Sequence, residues 1–96
     1  MSEIDSILVS AAIISLADEL PDIESLLNSE FDLFNSIDSF SVINLLLETE
    51  VQLEQRFNQY FALANEDIFD AVKSPLLSWS RWIKYVKLQV ERNYAV

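Results

Sequence analysis

The feature that most constrains this chain is a stripe of core-type side chains that lasts about five helical turns. Its members recur at spacings of three and four, as one face of an α-helix requires. They are Val42, Leu45, Leu46, Thr49, Leu53 and Phe57. Asp38 and Ser39 precede the stripe and both are favourable N-cap residues, whereas Asn58 follows it and suits a left-handed C-cap. The pattern predicts a long amphipathic helix that begins at Asp38 or Ser39 and packs one face on a core.

Before this helix, the sequence predicts one helix and a long connection. Ser2 and Asp5 form an acidic capping box, and the apolar spacing after them predicts a first helix that runs to about Asp18. The helical pattern breaks over residues 20–38, which predicts a long connection with a short helical turn near residues 23–27.

After it, two further helices are predicted. Asn65 as a cap, with acids in the following turn, predicts a short helix over residues 65–72. Ser74 and Pro75 suit the N-cap and first position of a last helix. The expected buried stripe of that helix is Leu76, Trp79, Ile83, Val86 and Val90. Trp82 lies at the edge of the stripe, where core packing competes with contact to a partner.

The length and composition fit a single domain over residues 1–96. A chain of 96 residues, 51% of them hydrophobic, is long enough to bury one core. We therefore expect an all-α bundle of four helices, with a long loop between helices 1 and 2 and a short third helix.

The charge is unevenly distributed along the chain. Residues 1–55 contain 12 acidic residues and no basic one, whereas residues 56–96 contain 4 acidic residues and all 6 basic ones. The net charge of −10 argues against a nucleic-acid binder and against an anchor on anionic membranes. The asymmetry suggests a negative face that steers a basic partner; the alternative is a solvated acidic surface that only maintains solubility. Because acidic halves of two copies repel, we expect a monomer.

Nothing in the sequence predicts membrane insertion or export. The longest uncharged stretch, residues 6–17, has 12 residues and is too short to span a bilayer. The N-terminus carries acids where a signal peptide needs basic residues. We expect a cytoplasmic protein.

Several classes of active site are excluded because the chain contains no Cys, His or Gly. It has no thiolate nucleophile, imidazole base, Ser-His-Asp triad, usual zinc site or glycine-rich phosphate loop. Paired carboxylates remain possible in principle, but no calcium-loop spacing is present. We therefore expect a protein that is not an enzyme and has no metal site.

The remaining candidate for chemistry is the dipeptide Asp38-Ser39. A serine at the start of a helix exposes its hydroxyl beside backbone N–H groups, and the helix dipole favours an attached phosphate by up to about 1 kcal/mol. An ordinary helix cap explains the same dipeptide, which also occurs as Asp5-Ser6 inside the first predicted helix.

The sequence around this dipeptide resembles the modification site of acyl carrier proteins. The resembling segments are LFNSIDSF at residues 33–40 and VINLL at residues 42–46. Residues 53–58 are similar to the end of that family's second helix, and residues 65–69 and 74–86 to its last two helices. The resemblance covers about residues 4–88 and implies a four-helix acyl-carrier-like bundle.

The resemblance implies a specific modification. Ser39, with Asp38 beside it, would accept 4′-phosphopantetheine from coenzyme A through a Mg-dependent phosphopantetheinyl transferase. The thiol of this arm would carry acyl or aminoacyl groups as thioesters between loading and processing enzymes, of the fatty-acid or polyketide type, in a specialised pathway. A chain without Cys has no thiol of its own for this purpose.

The resemblance also assigns partner recognition to the start of the long helix. The residues concerned are Phe40, Ser41, Val42, Asn44, Leu47 and Glu48. Phe40 stands where the family usually has Leu, and the helix is about one turn longer than in fatty-acid carriers. The alternative is an acidic helical interaction module that docks a basic partner without a cofactor. Such a module tolerates Ser39→Ala, whereas a carrier loses function while its fold loses only a helix cap, about 1 kcal/mol.

Overall fold

Helices account for all the regular structure in the part of the chain that is described. The computed structural model describes residues 3–94. Its elements, with no strand among these residues, are α1 (Glu3–Leu16), α2 (Ile23–Leu26), α3 (Ser39–Phe57), a 3₁₀-helix (Pro75–Leu77) and α4 (Trp79–Asn93). The predicted all-α class is confirmed. The Cα radius of gyration is 12.4 Å, close to the roughly 12.5 Å expected for a compact chain of this length.

The long helix α3 has the two ends that its sequence predicts. Asp38 is its N-cap, and the Asp38 carboxylate accepts a hydrogen bond from the Ser41 N–H at 2.8 Å. Asn58 ends the helix in the left-handed region at φ 56°, and its N–H donates to the Glu54 carbonyl. The αL conformation is accessible to Asn at moderate cost, which explains how a chain without glycine ends this helix.

The earlier elements also lie near their predicted places. The first helix ends at Leu16, slightly before the expected Asp18, and the short turn expected near residues 23–27 is α2. Ser2, expected to cap α1, lies outside the described residues.

The predicted short helix at residues 65–72 is wrong, because this segment forms consecutive turns. The Asn65 side-chain oxygen accepts from the Asp67 N–H at 2.8 Å, and the Asp70 carboxylate accepts from the N–H groups of Val72 and Lys73, each at 2.8 Å. Side chains that bond to nearby backbone groups compete with the helical pattern. Here they close separate turns.

The start of the last helix is also corrected. Ser74 caps only the 3₁₀-helix, with its Oγ accepting from the Leu76 N–H at 3.1 Å. A second serine, Ser78, caps α4 by accepting from the Arg81 N–H at 3.2 Å. Ser78 is both the C-cap residue of the 3₁₀-helix and the N-cap residue of α4, so the chain enters α4 in two steps.

Trp82 belongs to the core and is not at the edge of the stripe. Its side chain is fully buried, and its ring stacks on that of Tyr85 with centroids 5.8 Å apart. It is therefore unavailable to a partner or to a second copy of the chain.

The core forms around α1, which packs on α3, α2 and α4, whereas the backbones of α3 and α4 do not approach each other. A non-helical segment, residues 60–65, bridges these two helices. The carboxylate of Glu50 in α3, itself buried, accepts from the Leu63 N–H at 2.8 Å and the Tyr60 hydroxyl at 3.1 Å. On the opposite side, the Leu63 carbonyl accepts from the hydroxyl of Tyr85 in α4. We call Glu50, Leu63 and Tyr85 the Leu63 clamp.

Removing the acceptor in the Leu63 clamp should destabilise the protein. Glu50→Ala leaves the buried Leu63 N–H without a partner, so we expect the free energy of unfolding to fall by about 1–3 kcal/mol. Glu50→Gln keeps one side-chain oxygen as an acceptor and should lose less. Chemical denaturation of both variants measures the difference; equal losses would contradict the clamp.

Stability should also fall at alkaline pH. Burial, assisted by the charges of Asp67 and Glu50, raises the pKa of Tyr85 above its ordinary value of 10.0. The unfolded chain then releases this proton at lower pH than the native protein does. The stabilisation is present below pH 10 and is lost as the pH rises through the raised pKa. Denaturation curves from neutral pH to above 10 should show a smaller alkaline loss in Tyr85→Phe than in the wild type, and an identical loss would refute this assignment.

Candidate functional site

Ser39 is the first residue of α3 and is exposed. Because Asp38 is the cap, the Ser39 hydroxyl is not needed to begin the helix, and it makes no hydrogen bond within residues 3–94. The backbone N–H groups of Ser39 and Phe40 also have no acceptor among these residues. The helix thus presents one hydroxyl and two backbone donors to solvent at its positive end.

A second carboxylate, that of Glu19, lies at this helix end. It accepts hydrogen bonds from the Asp38 N–H at 3.3 Å and from the Ser41 hydroxyl. These contacts hold the chain just after α1 against the start of α3. Two carboxylates at the positive end of a helix stabilise it. Sequence reasoning missed Glu19, because a contact with a residue 22 positions away leaves no spacing signal.

In the described part of the chain, no general base forms a hydrogen bond with the Ser39 hydroxyl. The carboxylates of Asp38 and Glu19 bond to backbone and to Ser41 instead. The described residues therefore leave Ser39 as a primary alcohol that is accessible but not activated.

An exposed apolar face runs along α3 from the residue next to Ser39. Phe40, Ile43, Leu47 and Val51 are 70%, 45%, 56% and 47% exposed, respectively. Their spacings of three and four place them on one side of the helix. Two of them, Phe40 and Leu47, are predicted recognition residues. We call these four residues the exposed α3 face.

A shallow groove of about 360 Å³ lies between α1 and α3 along this face. Its lining residues are Ile14, Ser15, Asn44, Leu47, Glu48 and Val51. Three predicted recognition residues, Asn44, Leu47 and Glu48, therefore meet there. Ile14 also lines the groove and is 58% exposed. Sequence reasoning missed it, because the side of α1 that faces outward is known only from the packing of that helix.

Two other predicted recognition residues are engaged within the protein. Val42 is buried in the core, so its expected contact with a partner is corrected to internal packing. Ser41 is half-buried, with its hydroxyl donating to Glu19. Val42 also belongs to the stripe of core-type residues, and that pattern correctly predicts its burial.

The described part of the chain has neither a cluster of metal-ligating side chains nor a membrane-spanning helix. No three of its acidic side chains lie close enough together to hold a metal ion. Among residues 3–94 there is also no helix of the length and apolar character needed to cross a membrane.

Comparisons with protein-family models, curated proteins and solved structures found no match to this chain.

The cap assignment predicts different effects for two neighbouring substitutions. Asp38→Ala removes the acceptor for the Ser41 N–H and should lower the free energy of unfolding by about 1 kcal/mol. Ser39→Ala removes no hydrogen bond and should change it much less, which corrects the expectation from sequence that this substitution costs a cap. Thermal and chemical denaturation compare the two variants; a larger loss in Ser39→Ala would show that Ser39 has a structural role.

Proposed function

We propose that this chain is a carrier protein that holds acyl or aminoacyl groups as thioesters on a 4′-phosphopantetheine arm attached to Ser39. One observation carries the proposal. The Ser39 hydroxyl is exposed at the start of a 19-residue helix, has no hydrogen bond to any of the residues 3–94, and does not cap the helix. The resemblance of residues 33–46 to a carrier modification site supplies the identity of the group.

The electrostatics of this helix end are compatible with a phosphodiester on Ser39. The free N–H groups of Ser39 and Phe40 offer two donors to its oxygens, and the helix dipole favours its single negative charge. The carboxylates of Asp38 and Glu19 oppose that charge. A phosphodiester is expected to tolerate this opposition better than a phosphomonoester, which carries nearly two negative charges at neutral pH.

The attachment reaction requires a partner enzyme. The Ser39 oxygen attacks the pantetheine-bearing phosphorus of coenzyme A, the phosphorus–oxygen bond to 3′,5′-ADP breaks, and the serine proton leaves. Because no base in the described chain contacts this hydroxyl, a phosphopantetheinyl transferase with Mg²⁺ would have to accept the proton and position the coenzyme.

The exposed α3 face is suited to the docking that a carrier needs. It offers apolar side chains beside Ser39, with Glu19 and Asp38 at one end and Glu48 at its border. A partner surface with apolar and basic side chains would complement it, giving fast and salt-sensitive association. Once docked, the flexible arm would raise the effective concentration of its cargo at the partner's active site.

A second candidate is an acidic helical interaction module without a cofactor. The exposed α3 face favours it, because that face is present whether or not Ser39 is modified. In this alternative, Asp38 is only a helix cap and Ser39 has no special role.

Intact-mass measurement distinguishes the two candidates. The wild type, Ser39→Ala and Ser6→Ala are each incubated with coenzyme A, Mg²⁺ and a broad-specificity phosphopantetheinyl transferase. Ser6 is a matched control because it also follows an aspartate. We expect a gain of one phosphopantetheine in the wild type and Ser6→Ala, and none in Ser39→Ala.

Two results would contradict the proposal. A gain in Ser39→Ala would place the modification on another residue. No gain with several transferases, for protein shown to be folded by circular dichroism, would favour the interaction module.

A further inference from the structure

A second groove, opposite in charge to the acidic start of α3, lies between the loop at residues 72–75 and the first half of α4. Its volume is about 460 Å³. Arg81, Lys84, Tyr85 and Leu88 line it from α4, and their spacing puts them on one side of that helix over about 10 Å. Val72 and Lys73 line the opposite wall. We call this feature the basic groove.

The basic groove contains three of the six basic residues of a protein whose net charge is −10. Lys73, Arg81 and Lys84 form no ion pair within residues 3–94. By contrast, Arg56 and Lys87 are paired with Glu3 and Asp5, at 2.5 and 3.2 Å. The carboxylate nearest to Lys73 in sequence, Asp70, accepts hydrogen bonds from the backbone N–H groups of Val72 and Lys73. None of the described residues that line the groove is acidic.

Apolar surface accompanies these cations. Val72 is 78% exposed and Leu88 41% exposed. Cations beside exposed apolar side chains complement a ligand that is both anionic and apolar. Since Val72 remains largely open, a small molecule in the groove would stay mostly in water, whereas small-molecule sites usually bury most of their ligand. A protein segment fits such a shallow surface better, because the rest of the partner protein covers the side of the segment that faces away from the groove.

The net charge narrows the choice of occupant. Each copy of this chain has a net charge of −10, so electrostatic repulsion between two copies opposes self-association through the groove. The same repulsion opposes an anionic membrane or a nucleic acid, which extends far beyond three cations. A short acidic segment needs only the local field of the groove, which acts within about 8–10 Å at moderate salt.

We infer that the basic groove docks an acidic segment of a partner protein. Carboxylates of the segment pair with Lys73, Arg81 and Lys84, and an apolar side chain between them packs on Val72 and Leu88. This interaction is independent of any modification of Ser39, and the experiments use unmodified protein. It gives the molecule a second docking surface, opposite in charge preference to the exposed α3 face.

Selection from a displayed library of random 12-residue peptides tests the inference. Selection uses the wild type, with counter-selection on the double variant Arg81→Glu/Lys84→Glu; both residues are exposed, so the fold should persist. Arg92→Glu is the matched control, because Arg92 is an exposed base of the same helix outside the groove. We expect enriched peptides with at least two acids around an apolar residue. Their affinity should fall at least tenfold in the double variant and stay unchanged in Arg92→Glu.

Amide chemical-shift mapping on the wild type keeps the test decisive if the double variant unfolds. Shifts at residues 72–75 and 81–88 on addition of a selected peptide support the inference, whereas shifts confined to α3 overturn it. Failure to enrich acidic peptides, or equal binding to the double variant, also overturns it. The inference is also overturned if the wild type sediments as a dimer and the double variant as a monomer. It is overturned too if the wild type binds phosphatidylserine vesicles but selects no acidic peptide.

Discussion

Two hydrogen bonds made by the backbone N–H and the backbone carbonyl of Leu63 link α3 to α4. Its N–H donates to Glu50 of α3 and its carbonyl accepts from Tyr85 of α4, while the backbones of these helices stay apart. Buried backbone N–H and C=O groups without partners are costly, so these two bonds favour the observed position of the segment. A non-helical piece of chain therefore connects α3 and α4, and among the described elements α1 is the only one that packs on both helices.

The same clamp fixes the helix that carries the candidate site. One side of α3 supplies Leu45, Leu53 and the carboxylate of Glu50 to the interior, and another side exposes Phe40 and Leu47. The start of the helix is held separately, by Asp38 within its own turn and by Glu19 from the end of α1. Ser39 therefore lies at the start of a helix that is held at its first turn by Asp38 and Glu19 and farther along by Glu50.

Local signals were enough to predict α3, because Asp38 and Asn58 act through bonds within a few residues of themselves. The turns at residues 65–72 were predicted as a helix because Asn65 and acids also suit a helix start, and sequence alone does not show which backbone group a side chain will bond. Glu50 and Glu19 were missed for a different reason. The partners of both residues are distant in sequence. The burial of Glu50 and the position of Glu19 beside α3 therefore produce no periodic pattern in the sequence. The exposed α3 face could be read only in part, from Phe40 and Leu47.

The left-handed turn at Asn58 has a consequence for the unfolded protein. Asn58 is the one residue with positive φ among those described, and the chain contains no glycine anywhere. Every connection is therefore built from residues whose backbone freedom is already restricted before folding. A glycine at a position that another residue can occupy without strain costs about 0.4–1 kcal/mol of additional chain entropy on folding. At turns other than Asn58 this small acidic protein avoids that cost, so we expect its unfolded chain to lose less backbone entropy on folding than a chain with glycine at those positions would.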